Sequence, residues 1–275
     1  MTIQKIKPLK IFGQNFLKDK NIANKIVDLL GEIENEEIIE IGPGMGALTE
    51  LILQKNAKIT AFDVDERAIK YLTEKFNKNI KIRIIHSDIR KIQLENYTKN
   101  KISLIGNIPY NITNDIIFWL FDNAKFLNKA ILTIQKEVAE RLVAKPKTKD
   151  YGITTLAMQL YANAKIAFHI PASAFFPAPK VTSSVIIIDF QVNKFIKYFN
   201  QDEEIDKKEL MKFIRAAFSQ RRKMLNNSLK SYLNSRNIDL EKLTKTLESK
   251  EKKYLKMRAE ELSVEDYIHF FEIIK

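Results

Sequence analysis

The sequence predicts an α/β fold: a doubly wound sheet over residues 1–192, followed by a small all-helical C-terminal domain over residues 193–275. Three observations carry this reading. Short runs of branched apolar residues alternate with helical periodicity as far as about residue 190. Three of those runs deliver an acidic or amide residue at their carboxyl ends, the edge at which open α/β sheets bind ligands. From Asn193 onward strand patterns stop and helical patterns repeat.

Near the start, Asp19 stands as the N-cap of a helix with Ile22, Ile26, Val27, Leu29 and Leu30 on one side. Gln14 and Asn15 precede it, polar between apolar neighbours, and taken alone they read as a turn. Strand Glu37–Ile41 then runs into Gly42-Pro43-Gly44-Met45-Gly46 and a helix through Leu48, Leu51, Ile52 and Leu53. Glycines between strand and helix let backbone approach a ligand, and the helix start offers free N–H groups. The spacing is G-x-G-x-G, which departs from the dinucleotide fingerprint G-x-G-x-x-G. Strand Lys58–Phe62 ends on Asp63 and Asp65, where an acid can accept both hydroxyls of a ribose. Loop and acid together point to a nucleoside-bearing cofactor. A third strand, Lys81–His86, delivers Ser87-Asp88, a carboxylate that either accepts from the cofactor's adenine amine or caps the next segment.

Strand Ile102–Ile105 and Gly106 lead to Asn107-Ile108-Pro109-Tyr110. Asn107 carries a side-chain carbonyl acceptor. Pro109 pushes Ile108 into an extended conformation that frees the Ile108 carbonyl, and Tyr110 offers a flat face for a base. Two acceptors beside an aromatic plate suit an exocyclic amine, whose nitrogen lone pair they draw out of conjugation toward an electrophile. The quartet resembles the Asn/Asp-Pro-Pro-Tyr motif of amino-methyltransferases acting on adenine; its alternative is a strand ending in a proline turn with a core tyrosine.

After Tyr110 come a helix with Trp119 in the core, strand Ala130–Ile134 and a helix from Glu137 to Val143. The basic, turn-rich stretch 145–152 is a solvated loop or an RNA contact. Ile153 to Ala162 reads as helix, Ile166–His169 as a short strand and Val185–Phe190 as the last strand. Phenylalanines in the double-proline loop Phe175-Phe176-Pro177-Ala178-Pro179 are poor filler, and Phe175 is expected to stack on a target base opposite Tyr110.

Composition narrows the chemistry. With no cysteine there is no disulfide framework, thiolate metal site or cysteine nucleophile. The three histidines are scattered without metal spacing and no Ser/His/Asp set is visible, so no metal site is expected. No apolar run reaches the length of a membrane span and the start lacks a secretion signal's apolar core, so a cytoplasmic protein without a membrane partner is expected. The net charge of +12 points to a polyanionic partner, or in part to a composition biased toward Lys, Ile and Asn. Between residues 194 and 260 there are 18 Lys/Arg and 10 Asp/Glu, so 18 − 10 = +8 of that charge lies in the tail. Arg221, Arg222 and Lys223, read with Arg215 as one helix, form a phosphate-contacting cluster or else a solvated face.

With these residues in place, the chain from Lys10 to about Tyr267 resembles the ribosomal RNA adenine N6,N6-dimethyltransferases, the kasugamycin-sensitivity methylase family. The marks are Gly13-Gln-Asn-Phe-Leu17, Glu40-Ile-Gly-Pro-Gly44, Asn107-Ile-Pro-Tyr-Asn111, Gln135-Lys-Glu-Val138, Tyr151-Gly152, Pro179-Lys-Val181, Ala217-Phe-Ser-Gln-Arg-Arg-Lys223 and Arg258-Ala-Glu-Glu-Leu-Ser263. The resemblance implies a class I, Rossmann-like, seven-stranded methyltransferase domain using S-adenosyl-L-methionine. It implies that Gln14, Asn15, Leu17, Gly42, Gly44, Asp63, Asp88 and Asn107 line the cofactor. The implied partner is 16S rRNA in the assembling small subunit, met by a monomer at two adjacent adenosines in a hairpin loop near the 3′ end. Two positions depart from the family: Asp63 stands where Glu is usual, and Ile108 where Leu is common. The alternatives are a 23S rRNA adenine N6-methyltransferase of the macrolide-resistance type and a non-catalytic ribosome-assembly factor on the same fold.

Overall fold

A computed structural model of the chain describes residues 8–9, 13–192, 195 and 206–274. The start of the resemblance at Lys10 and the expected boundary residue Asn193 lie outside them. The described residues form two compact units, one running to Ala139 and resuming over Asn163–Val192, the other comprising Glu140–Ala162 and the chain beyond Asn193.

The first unit is built on a seven-stranded sheet. Its strands are β2 (Glu37–Ile41), β3 (Lys58–Asp63), β4 (Ile82–His86), β5 (Ile102–Asn107), β6 (Leu127–Gln135), β7 (Asn163–Ile170) and β9 (Ser183–Asp189), in the order β4-β3-β2-β5-β6-β9-β7. The first five in that order run parallel, while β9 is antiparallel to both β6 and β7. Strand order reverses between β2 and β5, which opens a crevice at their carboxyl ends. Gly106 is required beside it, because a Cβ there would lie 2.8 Å from the Ile41 carbonyl oxygen.

The helices that frame the crevice follow the predicted signals. Asp19 caps α1 (Lys20–Asp28) by accepting from Ile22 N at 3.1 Å, and α1 buries Ala23, Ile26 and Val27. Helix α2 (Ala47–Gln54) starts at Gly46 and buries Leu48, Thr49 and Ile52; Leu48 and Ile52 share one core with Ile38, Ile59, Ile105 and Val185. Helix α3 (Glu66–Lys75) is capped by Asp65, and α4 (Thr113–Asp122) follows the quartet. Trp119 is in the core as expected, 6 % exposed, with its indole N–H on the Ile92 carbonyl at 2.8 Å. The strand expected at 166–169 extends over the whole of β7, an edge strand whose solvent-facing polar residues mask its length in the sequence. A two-stranded ribbon, β1 (Phe16–Leu17) with β8 (Phe175–Phe176), is too short to leave a periodic signal.

The segment Glu140–Ala162, expected in the first domain, groups instead with the tail. Its helix α6 (Ile153–Tyr161) packs on α7 (Lys207–Phe218) and α12 (Val264–Ile274), and the buried Tyr151 hydroxyl donates to the Leu262 carbonyl at 2.9 Å. The core of this unit is aromatic: the Phe213 ring meets Tyr232, Tyr267, Phe270 and Phe271 at centroid distances of 5.5 to 6.1 Å. No helix among the described residues is long and apolar enough to cross a membrane.

Candidate active site

The crevice is lined by four pieces of chain: Gly13 to Phe16, the glycine loop, Asp63 with Val64, and Asn107 to Tyr110. The glycine loop turns through left-handed conformations, with φ of +64°, +55° and +77° at Gly42, Gly44 and Gly46. At Gly44 a Cβ would also lie 2.9 Å from the Phe16 ring, so the loop and the Gly13–Phe16 segment close on each other only because the position is bare. Asp63 pins this geometry: Gly44 N donates to one of its oxygens at 3.2 Å and Asp65 N to the other at 2.9 Å. Burial pushes the Asp63 carboxyl above its ordinary pKa, and these N–H groups only partly oppose the shift.

Two further acids surround it. Asp65 is desolvated, but hydrogen bonds from Arg67 at 2.6 to 3.0 Å and from Gln14 Nε2 at 2.8 Å outweigh that and hold its pKa below the usual value. Gln14 also accepts from Leu9 N at 3.0 Å, so it links the chain before β1 to the acid after β3. Glu40, on β2 beneath the loop, is 1 % exposed and accepts from Thr49 Oγ1 at 2.7 Å. Burial raises its carboxyl to about 7, and the neighbouring charge of Asp63 adds to the shift.

At the end of β5, Asn107 Nδ2 donates to the Asn15 carbonyl at 2.7 Å. A carbonyl can take only the N–H end of an amide, so the orientation is fixed and Oδ1 receives no donor among the described residues. Ile108 N donates to the Thr133 carbonyl at 3.0 Å, continuing the ladder to β6 past the last strand residue. Tyr110 is anchored through its hydroxyl, 2.6 Å from Ser183 Oγ, and burial raises its pKa. Its ring also lines an adjoining groove with Leu9, Asn111, Phe176 and Pro177.

That groove corrects one expectation. Phe175 is 2 % exposed and lies in the core, whereas Phe176 is 60 % exposed at the groove. Successive strand residues point to opposite faces, so only one ring of the pair can face a ligand. The pairing of Leu17 with Phe175 and of Phe16 with Phe176 decides which.

Two other expected cofactor residues stand outside the lined crevice. Leu17 is buried in the core, next to Phe16. Asp88 caps a short 3₁₀ turn and is held by the Arg90 guanidinium at 2.7 to 3.1 Å, which keeps its pKa low. The three histidines are elsewhere: His86 bonds the Val64 carbonyl, His169 bonds Ser184 Oγ and His269 pairs with Glu251.

The basic cluster of the second unit is also rearranged. Only Arg215 is helical, because α7 ends at Phe218 and Arg221–Lys223 lie in the turn before α8 (Leu225–Ser228). Arg221 is spent inside the unit, bonding Glu260 at 2.9 Å and the carbonyls of Lys149 and Tyr151 at 2.7 and 3.1 Å. The exposed side chains of Arg222 and Lys223 make no hydrogen bond or ion pair among the described residues. Arg221→Ala should therefore lower the melting temperature by several degrees, as loss of a multiply bonded partner of backbone carbonyls costs about 1–3 kcal/mol. The Arg222→Ala, Lys223→Ala double variant should melt like wild type and flatten the salt dependence of RNA binding. Thermal unfolding and salt titrations of both variants separate the two roles.

A seven-stranded sheet whose strand order reverses beside a glycine loop, with Asn107 at the same crevice, defines a class I methyltransferase. Within that class the chain belongs to the ribosomal RNA adenine dimethylase family, whose model matches residues 6–275. It is 38 % identical over 266 residues to ribosomal RNA small subunit methyltransferase A of Mycoplasma mobile, covering 96 % of this chain and 97 % of that one. The Chlorobaculum parvum protein of the same name is 38 % identical, with 96 % and 88 % covered. Among solved structures, a dimethyladenosine transferase from Plasmodium falciparum matches with a TM-score of 0.76 at 22 % identity, covering 94 % of this chain and 98 % of that one. The 23S rRNA methyltransferase ErmE matches with a TM-score of 0.66 at 19 % identity, covering 94 % and 99 %. At such identities the two structures speak for the fold.

Proposed function

We infer that this chain transfers methyl groups from S-adenosylmethionine to the N6 atoms of two adjacent adenosines in a hairpin loop near the 3′ end of 16S rRNA, as the small subunit assembles. The observation that carries the reading is the Asn107 amide, clamped by the Asn15 carbonyl with its oxygen left for an amine. The macrolide-resistance alternative is not favoured, since relatives at 38 % identity over nearly the whole chain are small-subunit methyltransferases. The enzyme works as a monomer in the cytoplasm, where ribosomes are built.

The residues fit the cofactor. Gly42 presents backbone with room above it, a Cβ there meeting only the Asn107 carbonyl at 3.7 Å. Each Asp63 oxygen accepts one N–H and keeps a lone pair for a ribose hydroxyl. Gln14, Asn15, Gly44 and the Asn107 backbone complete the cradle. Leu17 contributes through β1, which it anchors in the core, and Asp88 joins by sharing an oxygen with Arg90. When bound, S-adenosylmethionine supplies an electrophilic methyl group on a sulfonium sulfur.

The protein's part is positioning. Asn107 Oδ1 and the Ile108 carbonyl take the two hydrogens of the adenine amine and turn its lone pair toward the methyl. Pro109 disfavours a helical conformation at Ile108, which suits this role. Tyr110 and Phe176 enclose the ring, which must be splayed out of its loop to reach them. Arg222 and Lys223 hold phosphates.

Phe175→Ala should lose a core ring and about 3–5 kcal/mol of stability, whereas Phe176→Ala should fold normally and raise KM for RNA about ten-fold through lost stacking. Melting curves and steady-state kinetics of the two variants distinguish them. The cofactor assignment is tested by titration: S-adenosylhomocysteine should bind and NAD should not, and the reverse would remove the proposed chemistry.

A further inference from the structure

Thr133, on β6, is 1 % exposed and its hydroxyl has no hydrogen-bond partner among the described residues. A buried hydroxyl without a partner opposes folding, and valine would fill the same β-branched shape on a strand without that cost. Its location gives the hydroxyl a use. Strands β5 and β6 run parallel with Asn107 opposite Thr133. The two side chains therefore leave the sheet on one face, with their strands roughly 5 Å apart. The Thr133 carbonyl accepts from Ile108 N at 3.0 Å, which ties the quartet to β6 at this residue. On the other side, β9 sets Val185 in register, an apolar neighbour that can partner nothing. Asn107 Nδ2 is taken by the Asn15 carbonyl, while Asn107 Oδ1 receives no donor among the described residues.

We propose that Thr133 is a positioning residue for methyl transfer: in the loaded site its hydroxyl donates to one lone pair of Asn107 Oδ1, and the target amine takes the other. A carboxamide oxygen has two lone pairs, so both bonds can be made together. The amide plane is then held at both ends, by the Asn15 carbonyl and by Thr133, and the acceptor cannot swing away from the amine. The proposal rests on the assignment of Asn107 to the amine made above.

The test compares Thr133→Val, Thr133→Ser, Asn107→Ala and the Thr133→Val, Asn107→Ala double variant, using the full chain, S-adenosylmethionine and immature small subunits. Thr133→Val is expected to melt at or above the wild-type temperature and to keep its affinity for S-adenosylhomocysteine and its KM for RNA. Its kcat is expected to fall roughly ten- to 100-fold, the upper figure being what a misplacement of about 1 Å costs an oriented reaction. Thr133→Ser should recover most of the rate, and Thr133→Val should cost nothing further once Asn107 is alanine. Wild-type kcat in Thr133→Val beside an inactive Asn107→Ala would overturn the role of Thr133 and leave that of Asn107 standing. Equal losses in Thr133→Val and Thr133→Ser would overturn it too, as the signature of packing. An active Asn107→Ala would remove the reading beneath both.

Discussion

Asn107→Ala should lower kcat by about 100-fold or more, the usual consequence of losing one preorganised polar contact to the reacting group. Affinity for S-adenosylhomocysteine should stay within a few-fold of wild type. The two ends of the amide have different duties. Its nitrogen is committed to the Asn15 carbonyl at 2.7 Å, so the side chain helps order the segment beside the cofactor cradle, which explains a small loss of affinity. Its oxygen makes no contact that would support the cradle, so a loss confined to turnover follows. Isothermal titration and single-turnover kinetics on the variant measure the two effects separately. A large loss of cofactor affinity with unchanged chemistry would reassign Asn107 to the cradle alone.

The second large effect concerns Glu40. Its folded carboxyl has a pKa of about 7 against an ordinary 4.5, chiefly because it is buried, with Asp63 on β3 adding repulsion and Thr49 on α2 opposing the shift. Between those values the folded state holds a proton that the unfolded chain has released. Stability contributed by this group is therefore present below pH 4.5, is lost as pH rises toward 7, and stays lost above. The displacement corresponds to about 3 kcal/mol across the window. Glu40→Gln keeps an acceptor for Thr49 and does not titrate, so the variant should exceed wild type in stability at pH 8 and converge with it near pH 5. Urea unfolding at the two pH values gives the difference directly. Parallel pH profiles for variant and wild type would show that Glu40 is ionised throughout.

Much of this site was legible because its signals are local. Glycines with φ above zero, a proline after a strand and an acid at a strand end announce themselves in a few residues, so Gly42, Gly44, Asp63 and Asn107 were placed from sequence and meet in one crevice. What was not legible depends on partners far along the chain. Whether Phe175 or Phe176 faces the groove is set by the β1–β8 register. The commitment of Arg221 depends on Glu260 and on carbonyls at 149 and 151, and no helical period reports them. Likewise, the helical pattern of residues 153–162 was visible, but its packing on α7 and α12 was not. Glu40 sits inside an apolar strand pattern where an acid reads as an interruption, and only its burial beneath the glycine loop marks it as a perturbed group.

On this reading the chain places two methyl groups on each of two neighbouring adenines in small-subunit RNA. The most direct test is to incubate the purified protein and S-adenosylmethionine with immature small and large subunits, then map modified nucleosides by mass spectrometry. Two adjacent N6,N6-dimethyladenosines near the 3′ end of 16S rRNA, absent when Asn107 is alanine, are the predicted result. Methylation confined to 23S rRNA, or none with a cofactor-competent protein, would contradict it.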